Sequence, residues 1–126
     1  MIRHSLSLLA LSLLLTAPVA AAAAASVSVT GEVIDSACYI KSGAHGEAHR
    51  GCAQACAKAG IPLALLESGT DHVIWLAAKK DATSANDALV EQAGHRVTVT
   101  GSYAERGGAK ILVIDTRCVE TPGSRR

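Results

Sequence analysis

Two histidines and two cysteines fall within twelve residues, His45-Gly46-Glu47-Ala48-His49-Arg50-Gly51-Cys52-Ala53-Gln54-Ala55-Cys56. Imidazole nitrogens and thiolate sulfurs are the ligands of soft and borderline metal ions, and thiols also pair as disulfides or cycle as redox groups. On a helix at about 100° per residue, with His45 as zero, His49 falls at about 40°, Cys52 at about −20° and Cys56 at about 20°. All four would share one stripe. Cys52 and Cys56, four residues apart, can both reach one ion at about 2.3 Å. His49 and Cys56, separated by about 10.5 Å of helical rise, share an ion only at full stretch, so His49 pairs more easily with Cys52. Cys38 lies in a preceding segment long enough to fold back onto the stripe. A compact site is therefore Cys38, Cys52 and Cys56 with His49, or with His45 if the helix start is distorted. Three thiolates with at most one imidazole suit copper(I) or zinc(II) and suit magnesium or calcium very poorly.

The compartment decides whether those sulfurs are free. Residues 1–25 read as an export signal: Arg3 and His4 give a basic start, residues 6–15 form an apolar run broken only by small residues, and Pro18 precedes an alanine tract at 20–25. Cleavage is expected after Ala25, giving a periplasmic or secreted chain that starts at Ser26 and keeps no membrane span. An uncleaved anchor is the competing reading, because residues 5–25 carry no charge and are nearly long enough to cross a bilayer. In an oxidising compartment, the cysteines of a small domain, here Cys38, Cys52, Cys56 and Cys118, commonly pair. A bond from Cys38 to Cys52 or Cys56 would staple the first long connection and stabilise the fold by about 2–4 kcal/mol, with Cys118 taking the remaining partner. Metal site, disulfide staple and a redox pair of Cys52 and Cys56 all stay open at this level. C-x-x-C and C-x-x-C-H are absent, which removes support for a thioredoxin-like motif or c-type haem attachment.

Positioning falls to a small frame. Residues 26–35 alternate apolar and polar, which predicts a half-buried strand with Gly31 at a bend. Residues 36–46 are polar, contain Gly43 and Gly46, and read as a loop. Residues 47–59 are rich in Ala, begin with Glu47 and carry Lys58 before Gly60 and Pro62, which predicts a helix of about three turns. Residues 63–66 and 73–76 predict a hairpin, 81–93 a helix capped by Thr83 or Ser84 and stopped by Gly94, and 96–104 with 110–114 a second hairpin. Val27-Ser28-Val29-Thr30-Gly31 echoes Val97-Thr98-Val99-Thr100-Gly101, each with a glycine where a strand must turn a corner. The predicted fold is mostly β with two short helices over residues 26–120: a five-stranded OB-like Greek-key barrel with the Cys/His helix in its first connection. An open α+β sheet is the rival. Residues 121–126 are a loose tail.

Charge and aromatic content narrow the function. Lys and Arg number 12 against 11 Asp and Glu, and Tyr39, Trp75 and Tyr103 are the only aromatics besides His. Single-strand-binding OB domains need several aromatics along a basic groove, so no nucleic-acid partner is expected. Trp75 reads as core, and His72 and His95 as solvated turn residues. Asp35 can orient a ligating His or simply end its strand. No Ser-His-Asp, paired-carboxylate or phosphate-loop pattern is present, so no enzyme is expected, a thiol-redox role being the open exception.

Cys52 and Cys56 with a separate His resemble, in spacing alone, the copper site of Sco-type copper chaperones, whose thioredoxin fold this sequence lacks. A wider pattern resembles a group of small exported bacterial proteins with an OB-like barrel and no assigned activity. It consists of Asp35-Ser36-Ala37-Cys38-Tyr39, Gly46-Glu47-Ala48-His49, Cys52-Ala53, Cys56 and Gly60-Ile61-Pro62. That resemblance implies that Cys38, His49, Cys52 and Cys56 belong to one site, with Cys118 outside it. The expectation is a non-enzymatic exported protein that binds copper or zinc for sequestration or for delivery to another periplasmic protein. The alternative is a disulfide-stapled module whose barrel binds a protein or small ligand.

Overall fold

Alternation makes β1, Ser26–Asp35, a strand with Val29, Gly31 and Val33 buried and Ser28 and Thr30 exposed between them. The structure, a computed structural model, describes residues 24–121, without the side chains of Thr116, Arg117 and Cys118. Most of the expected signal segment, the tail beyond Thr121 and any pairing of Cys118 lie outside the described residues. Along the chain follow α1 (Ser36–Ser42), a 3-10 turn at Glu47–His49, α2 (Arg50–Lys58), β2 (Leu63–Glu67) and β3 (Val73–Ala78). Then come α3 (Asn86–Leu89) with a 3-10 turn at Val90–Gln92, β4 (Arg96–Arg106) and β5 (Ala109–Glu120). The strands close a barrel in the order β1-β2-β3-β5-β4, which excludes the open sheet. All neighbours are antiparallel except β3 and β5, which run parallel with Leu76 opposite Leu112. No helix among the described residues is long and apolar enough to cross a membrane.

Two glycines permit the closure. Gly31 stands opposite Glu67 of β2 and Val97 of β4, and Gly101 opposite Val27 of β1 and Ile114 of β5. A Cβ would lie 2.5 Å from the Leu66 carbonyl oxygen at Gly31 and 2.3 Å from that of Val113 at Gly101. No side chain fits at either corner, so the sequence echo marks two bends of the same construction. The interior holds Val29, Val33, Leu65, Val97, Val99, Leu112 and Ile114, joined by Ala57 of α2 and Leu89 of α3. Each fully buried aliphatic side chain contributes about 1.5–3 kcal/mol relative to exposure. A second, smaller cluster of Ile34, Ala64 and Leu66 packs with Tyr39 of α1. This contact fixes α1 against the barrel.

Three expectations need correction. Residues 36–46 are not all loop: Asp35 Oδ1 accepts from the backbone N–H groups of Ala37 (2.9 Å) and Cys38 (3.1 Å), capping α1. Gly43 ends that helix in a left-handed conformation with φ 70°. The helix expected over 81–93 shrinks to α3 and its 3-10 turn, because Ala82 turns into the left-handed region at φ 55°, which no right-handed helix can pass through, and Asn86 at the start of α3 makes a buried cross-link. Its Oδ1 accepts from the Leu63 N–H (2.9 Å), and its Nδ2 donates to the carbonyls of Ala57 (3.1 Å) and Ile61 (2.8 Å). Trp75 is not core but 42% exposed. Its β3 neighbours Ile74 and Leu76 pack on the interior, so the strand period turns Trp75 outward.

Candidate metal centre

The site is built on the helical connection between β1 and β2, and a few polar anchors set its shape. Asp35 caps the helix that carries Cys38, and Ser36 Oγ donates to the Pro62 carbonyl at 2.6 Å. After Gly43 the chain returns under the grip of Glu32, whose carboxylate accepts from the Gly46 N–H and lies 3.2 Å from His45 Nδ1. Gly46 itself has φ 81° with extended ψ, a conformation open only to glycine. The α2 helix buries Ala53 and Ala57 and leaves Cys52 exposed and Cys56 half-buried. It stops where Gly60, at φ 95°, donates to the Ala57 carbonyl and Ile61 to that of Cys56, a Schellman arrangement at the glycine the sequence nominated. At its other end Arg50 Nη2 donates to the Glu91 carbonyl (2.9 Å) while Nη1 lies against His95, whose Nε2 is 2.9 Å from Glu47. His95 sits in the expected turn with its side chain 41% exposed, and is in addition part of a clamp on α2. His72 keeps the expected exposure.

One potential ligand atom from each of Cys38, Cys52 and Cys56 lies within 4.8 Å of the others, and the same holds for Asp35, Cys38 and His49. The two triads share Cys38. His49 joins no such group with Cys52 or Cys56 among the described residues. The reason is local: α2 begins only at Arg50, so His49 sits in the 3-10 turn and leaves the helical stripe that spacing alone suggested. His45 leaves it too, held by Glu32 and packed edge-on against Tyr39 with ring centroids 5.9 Å apart. Cys38, Cys52 and Cys56 are free thiols. Among the described residues, Asp35 Oδ2 and His49 Nε2 are buried side-chain atoms with no hydrogen-bond partner. A buried polar atom left unpaired costs about 1–3 kcal/mol, and a cation is one group that would satisfy both.

The electrostatics are reciprocal. Burial pushes the Asp35 carboxyl up, but the neighbouring thiols of Cys56 and Cys38 and the N–H groups of Cys38 and Ala37 outweigh it and hold the group below its ordinary value. Asp35, followed by burial, in turn raises the Cys38 thiol and pushes that of Cys56 up to about 12. These two sulfurs are therefore protonated at neutral pH without a cation, and a thiophilic ion must displace their protons to bind.

Sequence reasoning treated Asp35 as an orienting group at most. Its 1% exposure and unpartnered oxygen put it among the possible ligands. The D-x-x-C spacing was the available signal, but the burial that gives it meaning comes from the barrel. A cleft of ≈ 670 Å³ lined by Pro62, Trp75, Leu76, Ala77, Lys110 and Ile111 includes none of these residues. Set against known proteins, the chain matches no family model, no curated protein and no solved structure.

Proposed function

We propose that this chain is an exported, periplasmic or secreted protein that binds copper or zinc for sequestration or for delivery to another exported protein, and that it is no enzyme. The observation that carries this reading is the convergence of three thiols from two helices beside two unpartnered buried atoms, Asp35 Oδ2 and His49 Nε2. Sulfur ligands select a soft or borderline ion over magnesium or calcium. Exposure of Cys52 supports delivery, since an acceptor's thiol can reach the ion from that side by ligand exchange. The scaffold is an OB-like Greek-key barrel: the strand order and the helices in the first and third connections support that reading. The basic start, apolar run and alanine tract within residues 1–25 support export.

The test is thiol counting and elemental analysis on protein recovered from the exported fraction without reductant. The expected result is a bound copper or zinc ion and at least three reactive thiols once it is removed. Cys52→Ser should then lower copper affinity at least tenfold. Sulfurs already bonded in pairs, with no ion, would overturn the proposal in favour of a stapled barrel. One observation favours a second reading, a ligand-binding barrel: Trp75 is exposed in a cleft on the outer wall, whereas the face of Tyr103 is covered by Lys110 at 4.1 Å. A small ligand there would shift Trp75 fluorescence with or without metal, and Trp75→Ala would abolish its binding.

A further inference from the structure

Two ligands of one ion can be no farther apart than the sum of their bond lengths, about 4.6 Å for two sulfurs and about 4.4 Å for a sulfur and a nitrogen. The atoms of each triad lie within 4.8 Å of one another, near that limit, whereas His49 shares no such group with Cys52 or Cys56 among the described residues. Five donors on this connection therefore do not describe one ion. Resting on the metal-binding function proposed above, we infer that the centre has two cation positions joined at Cys38: an all-sulfur position, Cys38, Cys52 and Cys56, for copper(I), and a mixed position, Asp35, Cys38 and His49, for zinc(II).

The donor chemistry separates the ions. Three thiolates form a soft set that favours copper(I), and their exposed member Cys52 leaves the residual negative charge in contact with water. One carboxylate, one thiolate and one neutral imidazole form a borderline set for zinc, with a fourth position free for water. The formal charge of that set is −2, so a divalent ion neutralises it. Neutrality matters at Asp35, which is 1% exposed, because burying an unbalanced charge is expensive. Both unpartnered buried atoms, Asp35 Oδ2 and His49 Nε2, belong to residues of the mixed position. Asp35 Oδ1 remains engaged with the helix cap while Oδ2 is left for an ion.

The experiment uses the reduced full chain, with copper(I) and zinc(II) each titrated against a competing chelator and cobalt(II) as a spectroscopic stand-in for zinc. Replacing both outer sulfurs, Cys52→Ser with Cys56→Ser, should lower copper(I) affinity at least a hundredfold and leave zinc(II) affinity within threefold. Asp35→Asn, which preserves the helix cap because Asn caps as well as Asp, should lower zinc(II) affinity at least tenfold with no loss of copper(I) affinity, and His49→Gln should lower zinc(II) affinity at least tenfold with copper(I) within threefold. Cys38→Ser should weaken both ions. Cobalt(II) bound to the unaltered chain should show the sulfur charge-transfer intensity of one thiolate, a readout independent of any variant's folding. Equal loss of both ions in every variant, or a cobalt spectrum with the intensity of three thiolates, would overturn the two-position assignment while leaving metal binding intact. Failure of the unaltered chain to bind either copper or zinc would instead remove the underlying function and this assignment with it.

Discussion

The barrel wall and the helical connection between β1 and β2 are held together by different physics. In the wall, period-two alternation buries Val29, Val33, Val97 and Val99, and two glycines permit corners that no side chain could occupy. In the connection, shape depends on individual polar contacts: Asp35 on the start of α1, Glu32 on Gly46, Arg50 and Glu47 on His95. Apolar packing there is sparser, with Tyr39, Ala53 and Ala57 its main contributors among the described residues. All the candidate ligands lie in, or at the entrance to, this second region. Stability should therefore follow the wall and metal affinity the connection, and substitutions can be chosen to separate the two.

The largest expected loss of stability comes from Gly101→Ala. A new Cβ 2.3 Å from the Val113 carbonyl must displace backbone, costing about 3 kcal/mol in denaturant unfolding. Copper affinity of the molecules that remain folded should hold within threefold. A loss below about 1 kcal/mol would contradict the corner argument. Next is Asn86→Ala, which strips partners from Leu63, Ala57 and Ile61 and should cost about 2–3 kcal/mol. Because Ala57 belongs to the last turn of α2, this variant breaks the separation between the regions and should also weaken copper binding severalfold. Glu32→Ala releases Gly46 and His45 for about 1–2 kcal/mol, with a similar severalfold loss of metal affinity. The smallest change in stability is that of metal-free Cys52→Ser, within about 0.5 kcal/mol because the residue is exposed and serine is nearly isosteric. Its copper affinity should nonetheless fall at least tenfold.

Acidity sharpens the same contrast. The depressed Asp35 carboxyl contributes stability above its unfolded value, which is lost as pH falls through the lower folded one, so metal-free protein should weaken in acid as α1 loses its cap. The raised thiols act in the opposite sense: their contribution is complete below the ordinary value of 9.0 and lost as pH climbs through their raised values, about 12 for Cys56. Between those limits stability should stay flat while metal affinity rises with pH, since ion and protons compete for Cys38 and Cys56. Unfolding curves and chelator competition at matched pH would check both slopes.

What the chain discloses in advance follows the same division. The bounds of β1, the hairpins, the two corner glycines and the Gly60 stop were legible because alternation and turn chemistry are local. The α1 helix was not, because its residues become helical only once Asp35 caps them and Tyr39 finds the cluster around Ile34. Trp75 was misread for the reverse reason: residue type suggested core, while the register of β3 turned it outward. At the site, donor chemistry and spacing pointed to Cys38, His49, Cys52 and Cys56 as one set; the structure brings the three thiols together and places His49 with Cys38 and Asp35 instead. Their division into two groups depends on where α2 begins, and Asp35 gains weight only through burial. Neither is written in the spacing.

The central claim is that the sulfurs of Cys38, Cys52 and Cys56 jointly hold a soft ion. X-ray absorption at the copper edge, on reduced full chain loaded with one equivalent of copper(I), tests it most directly. The account predicts a first shell of sulfur scatterers alone that loses sulfur in Cys52→Ser. A shell of nitrogen or oxygen scatterers, or copper that stays with the chelator, would contradict it.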